Sequence, residues 1–535
     1  MIKIKKLLKG DKARAKIKEG IDLVADYTKV TLGPKGRNVA LNQYGPLPTR
    51  VVNDGVTIAN EISSPDCFIQ SGVEMVQEIC RKTNFNAGDG TTQTALLTQA
   101  LIEEGQKYIL TGINPIDVKK ELESDLERIL KELASMSNKI ENVSQIRDIA
   151  TIAGNNDPEI GKAIYSVMKE VGMNASIVIE KGDATRIKTK SVPGMWFDKG
   201  YRVPAFINNI KMTAEHTNPS IFLIDSELKW DDDIDNFFKK IAEQNLTRVV
   251  IIANEIEGEV LGSLALTNKE RLEKGEGIAV CAIEAPAFGE DRKDIMEDIA
   301  IYTGAKVISK ANGFDLDKVN PLEVAGTCKK FLASSKTTTI IEGAGEEEKV
   351  KERIKEIQGL IDQLGPTEKT IKYNLEKRRD TIQSGVGIIY AGGSTEIEIK
   401  DRQLRLEDAV LASKSAVKEG YVDGGGITYL RLTAIDNLNI ILKIALEAPI
   451  KQIALNAGKN PDTILEKYYE TFEGYNAKTD KFEDLAKAGV IDATLVVKNA
   501  LLNAVSLASM FLTTEGIIAE ELEKSGDDFH KPRLK

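Results

Sequence analysis

The character of the sequence changes twice along its 535 residues, and this change limits most strongly the folds open to the chain. Residues 11–135 and 427–520 carry apolar residues at helical spacing, whereas residues 220–341 alternate short apolar strand-like runs with helical segments. A chain of this length is expected to form several domains of about 150 residues each. We therefore predict a multidomain fold, with one mostly helical domain built from both termini and an α/β domain inserted between them.

Two stretches separate the helical parts from the α/β part, and we predict that they pair as a small α/β hinge domain. The first contains the turn Asn155-Asn-Asp-Pro158, and the second contains a helix that is predicted to open at Leu406 and to end near Gly420. The predicted bounds are 1–135 and 419–535 for the terminal domain, 136–192 and 387–418 for the hinge domain, and 193–386 for the inserted domain.

Composition excludes several classes of protein. The net charge of −10 argues against a nucleic-acid partner, and the four cysteines show no CxxC spacing, which favours a reduced, cytosolic compartment. The apolar segment Ala500–Leu512 is too short to span a bilayer, so no membrane partner is expected. His216 and His530 are the only histidines, which makes histidine catalysis or a zinc site improbable, and both are predicted to lie on the surface.

The stretch Asn86-Ala-Gly-Asp-Gly-Thr-Thr-Gln-Thr-Ala95 carries the strongest local signal for a ligand. It holds Asp89 between two glycines, followed by Thr91, Thr92 and an apolar helical run. Glycines let the backbone approach an anion, and threonine hydroxyls with free helix N–H groups can hold phosphate oxygens. Asp89 is then placed to ligate the magnesium of a nucleotide. A plain helix start after a glycine turn is an equally open interpretation of this stretch, because no Walker A lysine follows.

Two further turns carry the same ambiguity. Thr31-Leu-Gly-Pro-Lys-Gly-Arg-Asn-Val39 stops a helix at Gly33-Pro34 and presents a threonine and two basic residues, which suit an anion or a surface turn equally well. Asn53-Asp-Gly-Val-Thr57 repeats the Asp-Gly pattern with a carboxylate at Asp54.

Motifs in a fixed order along nearly the whole chain resemble the group I chaperonins of the bacterial GroEL type. They are Thr31–Val39, Asp54–Thr57, Gly88–Thr92, Phe197–Tyr201, Ala285–Gly289, Leu406–Ala409, Gly424–Gly426, Gly474–Ala477 and Thr513–Glu515. The resemblance implies an ATP-driven ring subunit that folds non-native proteins. It also implies that the three predicted domains are an equatorial ATPase domain, an intermediate domain and an apical domain for client binding.

The resemblance implies an ATP site in the equatorial domain, with Mg²⁺ held by Asp89 and K⁺ as a further candidate ion. Asp54 and Asp408 are implied to act on the attacking water, and Asp408 is expected to arrive there only when the hinge domain closes. Taken alone, Asp408 could equally be a carboxylate at a helix start. The implied nucleotide-binding residues are Thr31, Leu32, Gly33, Pro34, Asp54, Gly55, Asp89, Gly90, Thr91, Thr92, Ile152, Gly425, Asn476, Ala477 and Asp492.

The resemblance also implies an apolar client groove in the apical domain, although the same residues could belong to its core. The implied partners are non-native proteins, a separate co-chaperonin lid and further copies of the chain in a heptameric, single or double ring in the cytoplasm. The implied groove residues are Tyr201, Val203, Phe206, Phe237, Phe238, Ile241, Leu261 and Leu266.

The sequence departs from the family pattern at several positions. Asn53 stands in place of a lysine, Gln93 in place of a threonine, and Pro193 in place of an acidic residue at the apical joint. Lys451 and Asn460 replace an arginine and a glutamate at the ring-to-ring face, which leaves the number of rings open. Two other functions were weighed: a client-binding scaffold without a productive ATPase cycle, and a metabolic kinase, which the absence of kinase motifs disfavours.

Overall fold

The structure is a computed structural model that describes residues 4–42, 50–173, 175–209, 212–274, 277–364, 368–383 and 385–521. The helices are α1 (Asp11–Thr28), α2 (Gly55–Glu61), α3 (Cys67–Ala87), α4 (Thr91–Leu110), α5 (Pro115–Met136), α6 (Val143–Ala153), α7 (Pro158–Val171), α8 (Asp232–Glu243), α9 (Gly258–Lys274), α10 (Gly289–Thr303), α11 (Pro321–Val324), α12 (Glu347–Gln363), α13 (Lys369–Gln383), α14 (Glu396–Glu419), α15 (Ile427–Leu432), α16 (Ile440–Asn456), α17 (Pro461–Thr471) and α18 (Thr494–Leu512).

Short 3₁₀ helices at Lys29–Thr31, Pro204–Phe206 and Lys310–Asn312 complete the helical elements of the described residues. The strands are β1 (Ile4–Lys9), β2 (Val39–Leu41), β3 (Arg50–Val52), β4 (Ile177–Lys181), β5 (Lys188–Val192), β6 (Gly194–Phe197), β7 (Ala214–Thr217), β8 (Ser220–Leu228), β9 (Arg248–Ile256), β10 (Ala279–Glu284), β11 (Val307–Ile308), β12 (Gly326–Ala333), β13 (Thr338–Gly343), β14 (Val386–Ala391), β15 (Tyr421–Asp423), β16 (Gly474–Asn476), β17 (Lys481–Glu483), β18 (Ile491–Ala493) and β19 (Gly516–Glu521).

The chain forms two compact units. Unit 1 comprises the described residues of Met1–Ser166, Ile179–Lys188 and Tyr390–Lys535, and unit 2 comprises those of Val167–Val178 and Thr189–Ile389. Much of the predicted hinge domain therefore belongs to unit 1. The small sheets are β2 with β3, β15 with β18, β16 with β17, and the three-stranded sheet β4-β14-β5.

Both ends of the chain meet in unit 1. Strand β1 pairs antiparallel with β19, with Lys6 opposite Ala519, so the first and last described strands form one ribbon. The core of the unit is a helical assembly in which α18 packs against α3, α4 and α5. The predicted mostly helical body built from both termini is confirmed, because the apolar faces at both ends of the sequence can be buried only against each other.

Helix α18 is, among the described residues, the one helix that is long and apolar enough to cross a membrane by length and composition. About two-thirds of its most apolar window, 67%, is buried inside the protein. Its polar residues also serve the core, since Asn503 Nδ2 donates a hydrogen bond of 2.8 Å to Thr83 Oγ1. The helix is apolar all round because it is enclosed by other helices.

Unit 2 is built on a mixed sheet in the order β10-β9-β8-β12-β13-β6, with β11 beside β8 and β7 beside β12. Strands β8, β9, β10 and β11 are parallel, with Phe222 opposite Ile251. The run Val249–Ala253 is buried without interruption, as expected for a parallel strand that is covered on both faces. The predicted βα alternation is confirmed.

Helix α14 begins ten residues earlier than the sequence analysis predicts. Thr395 is its N-cap and accepts a hydrogen bond of 3.2 Å from the Glu398 backbone N–H. The first turns are rich in charged residues and lack a regular apolar face, so the period that marks a helix appears only from Leu406 onward. The Thr395-x-x-Glu398 spacing is a capping-box signature and would have placed the start correctly.

The prediction that His216 lies on the surface is wrong, and His530 lies outside the described residues. His216 on β7 faces inward beside β12 and is only 2% exposed. Burial, with a smaller contribution from the positive charge of Arg248, lowers the pKa of His216 to about 4. The histidine is therefore neutral at physiological pH and is a core residue of unit 2.

A buried ion network joins three helices of unit 2. Asp298 on α10 is 1% exposed and accepts hydrogen bonds from Arg353 Nε at 2.8 Å and from Arg378 Nε at 2.9 Å. Removing this carboxylate leaves the buried Arg378 guanidinium without its main counter-charge. We expect Asp298→Ala to lower the free energy of unfolding of unit 2 by about 3–5 kcal/mol.

Urea unfolding followed by tryptophan fluorescence measures this change, because both tryptophans, Trp196 and Trp230, lie in unit 2. Glu356→Ala is the matched control, since Glu356 is the exposed carboxylate partner of Arg353 and is expected to contribute only about 0–1 kcal/mol. Equal losses in the two variants would contradict the role assigned to Asp298.

Candidate functional site

Unit 1 contains a cavity of about 480 Å³ whose wall comes from segments far apart in sequence. These segments are the turn after α1, the start of α2, the α3–α4 turn, the α6–α7 loop, α14 and several turns between residues 425 and 492. The predicted residues that line it are Thr31, Leu32, Gly33, Pro34, Asp54, Gly55, Asp89, Gly90, Thr92, Ile152, Asp408, Gly425, Asn476, Ala477 and Asp492.

Thr91 is the predicted nucleotide-site residue that does not line this cavity. It is the first residue of α4, and it is only 6% exposed. A phosphate contact by Thr91 therefore stays a prediction.

The start of α4 faces the cavity, and a glycine turn brings it there. Gly88 and Gly90 have φ angles of 80° and 90°, which are left-handed conformations that glycine adopts without strain. Between them, Asp89 Oδ1 accepts a hydrogen bond of 2.5 Å from the Gly90 N–H. The turn therefore starts a helix, as one interpretation of the sequence predicts, and it also opens the N-terminal end of that helix toward the cavity. Phosphate binding at this helix end stays a prediction.

The starts of α2 and α4 lie against each other. A Cβ atom on Gly55 would overlap Thr92 Oγ1, so only glycine permits this close approach. Asp54 is the N-cap of α2, and its carboxylate accepts hydrogen bonds from the Thr57 N–H at 2.8 Å and from Thr57 Oγ1 at 2.5 Å. These bonds fix the orientation of the Asp54 carboxylate at the cavity wall.

Hydrogen bonds from Asn456, the last residue of α16, fix the turn that follows α1. Asn456 Nδ2 donates hydrogen bonds to the carbonyl oxygens of Lys29 at 3.0 Å and Leu32 at 2.9 Å. The Thr31 hydroxyl donates to the Thr28 carbonyl at 2.8 Å, which leaves its oxygen lone pairs as acceptors. The Thr31 hydroxyl proton is therefore not available to an anion, and neither is the Leu32 N–H, which donates to the Lys29 carbonyl at 3.2 Å.

Burial, and then the charges of neighbouring carboxylates, raise the pKa values of three aspartates at the cavity wall. Burial raises the pKa of Asp89 to about 6, and the charge of Asp54 adds to this shift. Burial raises the pKa of Asp492 to about 7, with a further contribution from Asp89. Burial and then the charges of Asp54 and Asp89 hold the pKa of Asp408 well above its usual range. A cation in this cavity would relieve the repulsion among these groups.

The donor set suits magnesium that arrives with phosphate. Within the described part of the chain, no group of three or more His, Cys, Asp or Glu side chains forms a metal cage. Mg²⁺ is commonly held by one or two protein carboxylates together with substrate phosphates. Asp89 on a turn beside the N-terminus of α4 fits that pattern.

Helix α14 places Asp408 at the cavity through close packing on the end of α3. Ser415 Oγ donates a hydrogen bond of 3.1 Å to the Ala87 carbonyl, and Leu411 lies where a side chain on Gly88 would be. Asp408 lies in the middle of α14, so the alternative that it is a helix-start carboxylate is wrong. In this structure Asp408 already lines the cavity with Asp54 and Asp89, within one compact unit.

Several cavity residues were missed by the sequence analysis. Arg405 precedes Asp408 by three residues and shares its helix face, but the late predicted start of α14 left it outside the helix. Asn155 and Asn156 adopt φ angles of 62° and 59°, and the turn containing them was recognised without a link to a ligand. Asn53 and Gln93, which the sequence analysis singled out only as departures from the family pattern, also line the cavity. The remaining missed lining residues are Asp148, Thr151, Ala153, Gly426, Pro449, Ile453, Tyr475, Lys478, Thr479, Ala488, Gly489 and Val490.

The side chain of Asn476 is already engaged inside its own hairpin. Its Nδ2 donates to Glu483 Oε1 at 2.8 Å, and its Oδ1 accepts from the Lys478 N–H at 3.0 Å. Asn476 therefore shapes the cavity wall by holding the β16–β17 hairpin.

The predicted client groove in unit 2 requires correction. Phe206, Phe237, Ile241 and Leu261 are between 0% and 7% exposed and belong to the hydrophobic core, because the apolar faces of α8 and α9 pack on the sheet. Leu266 is 65% exposed, and the half-buried residues of the predicted set are Tyr201, Val203 and Phe238. Amphipathic spacing identified the apolar face of each helix but not its burial.

Comparison with known proteins gives concordant results. A profile of the TCP-1/cpn60 chaperonin family matches residues 24–521. Chaperonin GroEL 1 of Protochlamydia amoebophila (strain UWE25) is 40% identical over 526 residues, covering 96% of this chain and 93% of that protein.

Two crystal structures of the chaperonin gp146 of bacteriophage EL 2 (Pseudomonas aeruginosa), both in the presence of ATP-BeFx, share the fold. The TM-scores are 0.69 at 20% identity and 0.61 at 21% identity, and each comparison covers 96% of this chain and 98% of the other. At these identities the structural likeness concerns the fold alone.

Proposed function

Since the chain belongs to the TCP-1/cpn60 chaperonin family, it is an ATP-dependent protein-folding chaperone, and we propose that the cavity in unit 1 is where it binds and hydrolyses ATP. The observation that carries this proposal is that residues far apart in sequence meet at one cavity. Residues chosen from sequence motifs between positions 31 and 492 line a single cavity whose wall carries five carboxylates, of Asp54, Asp89, Asp148, Asp408 and Asp492, and the N-terminus of a long helix.

The proposed chemistry follows from these side chains. The N-terminus of α4 and the Thr92 hydroxyl hold phosphate oxygens, and Asp89 ligates Mg²⁺, which neutralises phosphate charge when it is bound. Asp54 and Asp408, which both line the cavity, orient the attacking water, and Asp408 accepts its proton. Hydrolysis of a phosphoanhydride needs this positioning and charge neutralisation rather than a covalent intermediate. A role for K⁺ stays a prediction.

Steady ATP turnover by the purified protein, with and without an unfolded client, tests this proposal against the alternative of a passive scaffold. We expect magnesium-dependent turnover that stops when the metal is chelated. Capture of unfolded protein without any ATP turnover would support the scaffold and contradict the proposed site.

The finer assembly belongs to the same proposal. We assign the equatorial domain to 1–135 and 419–535, the intermediate domain to 136–192 and 387–418, and the apical domain to 193–386, in a heptameric cytoplasmic ring with a separate lid. Lys451 pairs with Glu447 on its own helix at 2.7 Å, and Asn460 caps α17. Both side chains thus have partners within the chain, which is compatible with a single ring or a weakly paired double ring.

The client surface is proposed to centre on the exposed Leu266 and the half-buried Phe238. We expect Phe238→Glu and Leu266→Glu each to weaken capture of an unfolded protein by roughly tenfold or more, because a charge interrupts an apolar contact patch. Co-sedimentation or light scattering of an aggregating client measures capture. The control is Leu322→Glu, which changes an apolar residue of α11 that is 61% exposed and lies outside the predicted groove. Unchanged capture in the first two variants would show that Phe238 and Leu266 do not form the client surface.

A further inference from the structure

A buried tyrosine contacts the cavity wall through one glutamine. Tyr429 on α15 is 1% exposed, and its hydroxyl donates a hydrogen bond of 3.2 Å to Gln93 Oε1. Gln93 is the third residue of α4 and lines the cavity beside Thr92. A buried phenol hydroxyl needs a partner, and Gln93 is the one that the described part of the structure provides.

This hydrogen bond determines which way the Gln93 amide points. If the amide were flipped, the Tyr429 hydroxyl would accept from the amide and its own proton would be left unpaired in the core. Burial, with the charges of Asp492 and Asp89, holds the pKa of Tyr429 well above its ordinary value, so the phenol keeps its proton and acts as a donor. The Gln93 oxygen is therefore directed at Tyr429.

The opposite end of the amide is then free to act in the cavity. Gln93 Nε2 makes no hydrogen bond to the residues that the structure describes, and it is not among their buried, unpartnered atoms. Two N–H donors are thus accessible beside the N-terminus of α4, where an anion is favoured.

We propose that Gln93 donates its amide N–H groups to a phosphate oxygen of the bound nucleotide, and that Tyr429 is the positioning residue that holds the amide in this orientation. This inference rests on the proposed function of the cavity. Gln93 stands where the family pattern leads us to expect threonine, so its longer side chain reaches further but has more rotamers to restrain. Tyr429 supplies that restraint from within the core.

The test is a double-mutant cycle on nucleotide affinity, measured by titration of ATP and of adenosine. Gln93→Met keeps the side-chain size and removes the donors, and Tyr429→Phe removes only the hydroxyl. We expect Gln93→Met to weaken ATP binding by roughly tenfold to a hundredfold, the range of a lost hydrogen bond to a charged group. Tyr429→Phe should weaken it by roughly threefold to tenfold, and the double variant should match Gln93→Met alone.

Adenosine provides the readout that separates a phosphate contact from a general structural effect. It carries no phosphate, so its affinity should be unchanged in all three variants. Gln106→Met, on the same helix outside this cavity, is the matched control and should bind ATP as the wild type does.

Three results would contradict the roles proposed for Gln93 and Tyr429. Unchanged ATP affinity in Gln93→Met, parallel losses for ATP and adenosine, or additive losses in the double variant would each overturn the assignment. If the wild type itself does not bind ATP, the proposed function fails, which is a different result from wild-type binding with unaffected variants.

Discussion

Replacing Asp408 with alanine is expected to slow ATP turnover by roughly 10²–10⁴-fold while ATP affinity stays near the wild-type value. Asp408 lines the cavity from α14, whereas the Thr31–Pro34 turn, the α4 N-terminus and Asp89 come from other segments and remain intact. The variant should therefore accumulate as a long-lived ATP-bound state. Equilibrium ATP binding and single-turnover hydrolysis measure the two properties separately.

Two further variants test whether the effect comes from the Asp408 carboxylate itself. Asp408→Asn keeps the shape of the side chain and removes the proton acceptor, so it should be slowed to a similar degree. Glu407→Ala changes the neighbouring acidic residue, which does not line the cavity, and should turn over ATP at nearly the wild-type rate. Normal hydrolysis in Asp408→Ala, or a loss of ATP binding in it, would show that Asp408 does not act on the water.

Replacing Asp89 should weaken ATP binding itself, in contrast to the replacement of Asp408. Asp89→Ala removes the proposed magnesium ligand, so ATP binding in the presence of Mg²⁺ should weaken by roughly 10–100-fold or more. Loss of a residue that only hydrogen-bonds to a metal ligand already costs roughly 10–100-fold in metal affinity or activity. ATP binding without Mg²⁺ should change little or improve, because a negative charge has been removed from the cavity. The measurement is ATP titration with and without Mg²⁺.

The matched control is Asp148→Ala, since Asp148 also lines the cavity but lies on α6, and its carboxylate pairs with Arg147. This variant should retain the dependence of ATP affinity on Mg²⁺. If Asp89→Ala and the wild type gain equally from Mg²⁺, the metal is held elsewhere.

The sequence was sufficient to predict those parts of the site in which one residue type performs a local task. The Gly88-Asp-Gly90 turn, the Asp54-Gly55 helix start and the glycines near 425 are dictated by backbone geometry, so they are visible in the one-dimensional pattern. The same holds for the division of the chain into terminal helical and central α/β parts, because periodicity follows secondary structure.

What could not be predicted depends on tertiary partners. Nothing local shows that Tyr429 reaches Gln93, because the two residues are separated by 336 positions and meet only in the folded core. Burial was equally hidden, because helical spacing identifies the apolar faces that carry Phe237 and Leu261 but not whether the sheet or a partner protein covers them. The sequence analysis did not identify β7 as a strand, so nothing placed His216 on the inward face together with Ala214.

The most direct test of the central claim, that this cavity is the ATP site, is photolabelling of the purified protein with 8-azido-ATP, with labelled peptides mapped by mass spectrometry. We predict labels that unlabelled ATP competes away, confined to cavity segments such as residues 151–156, 475–479 and 488–492. Competable label concentrated in unit 2, or label that ATP does not displace, would contradict the account.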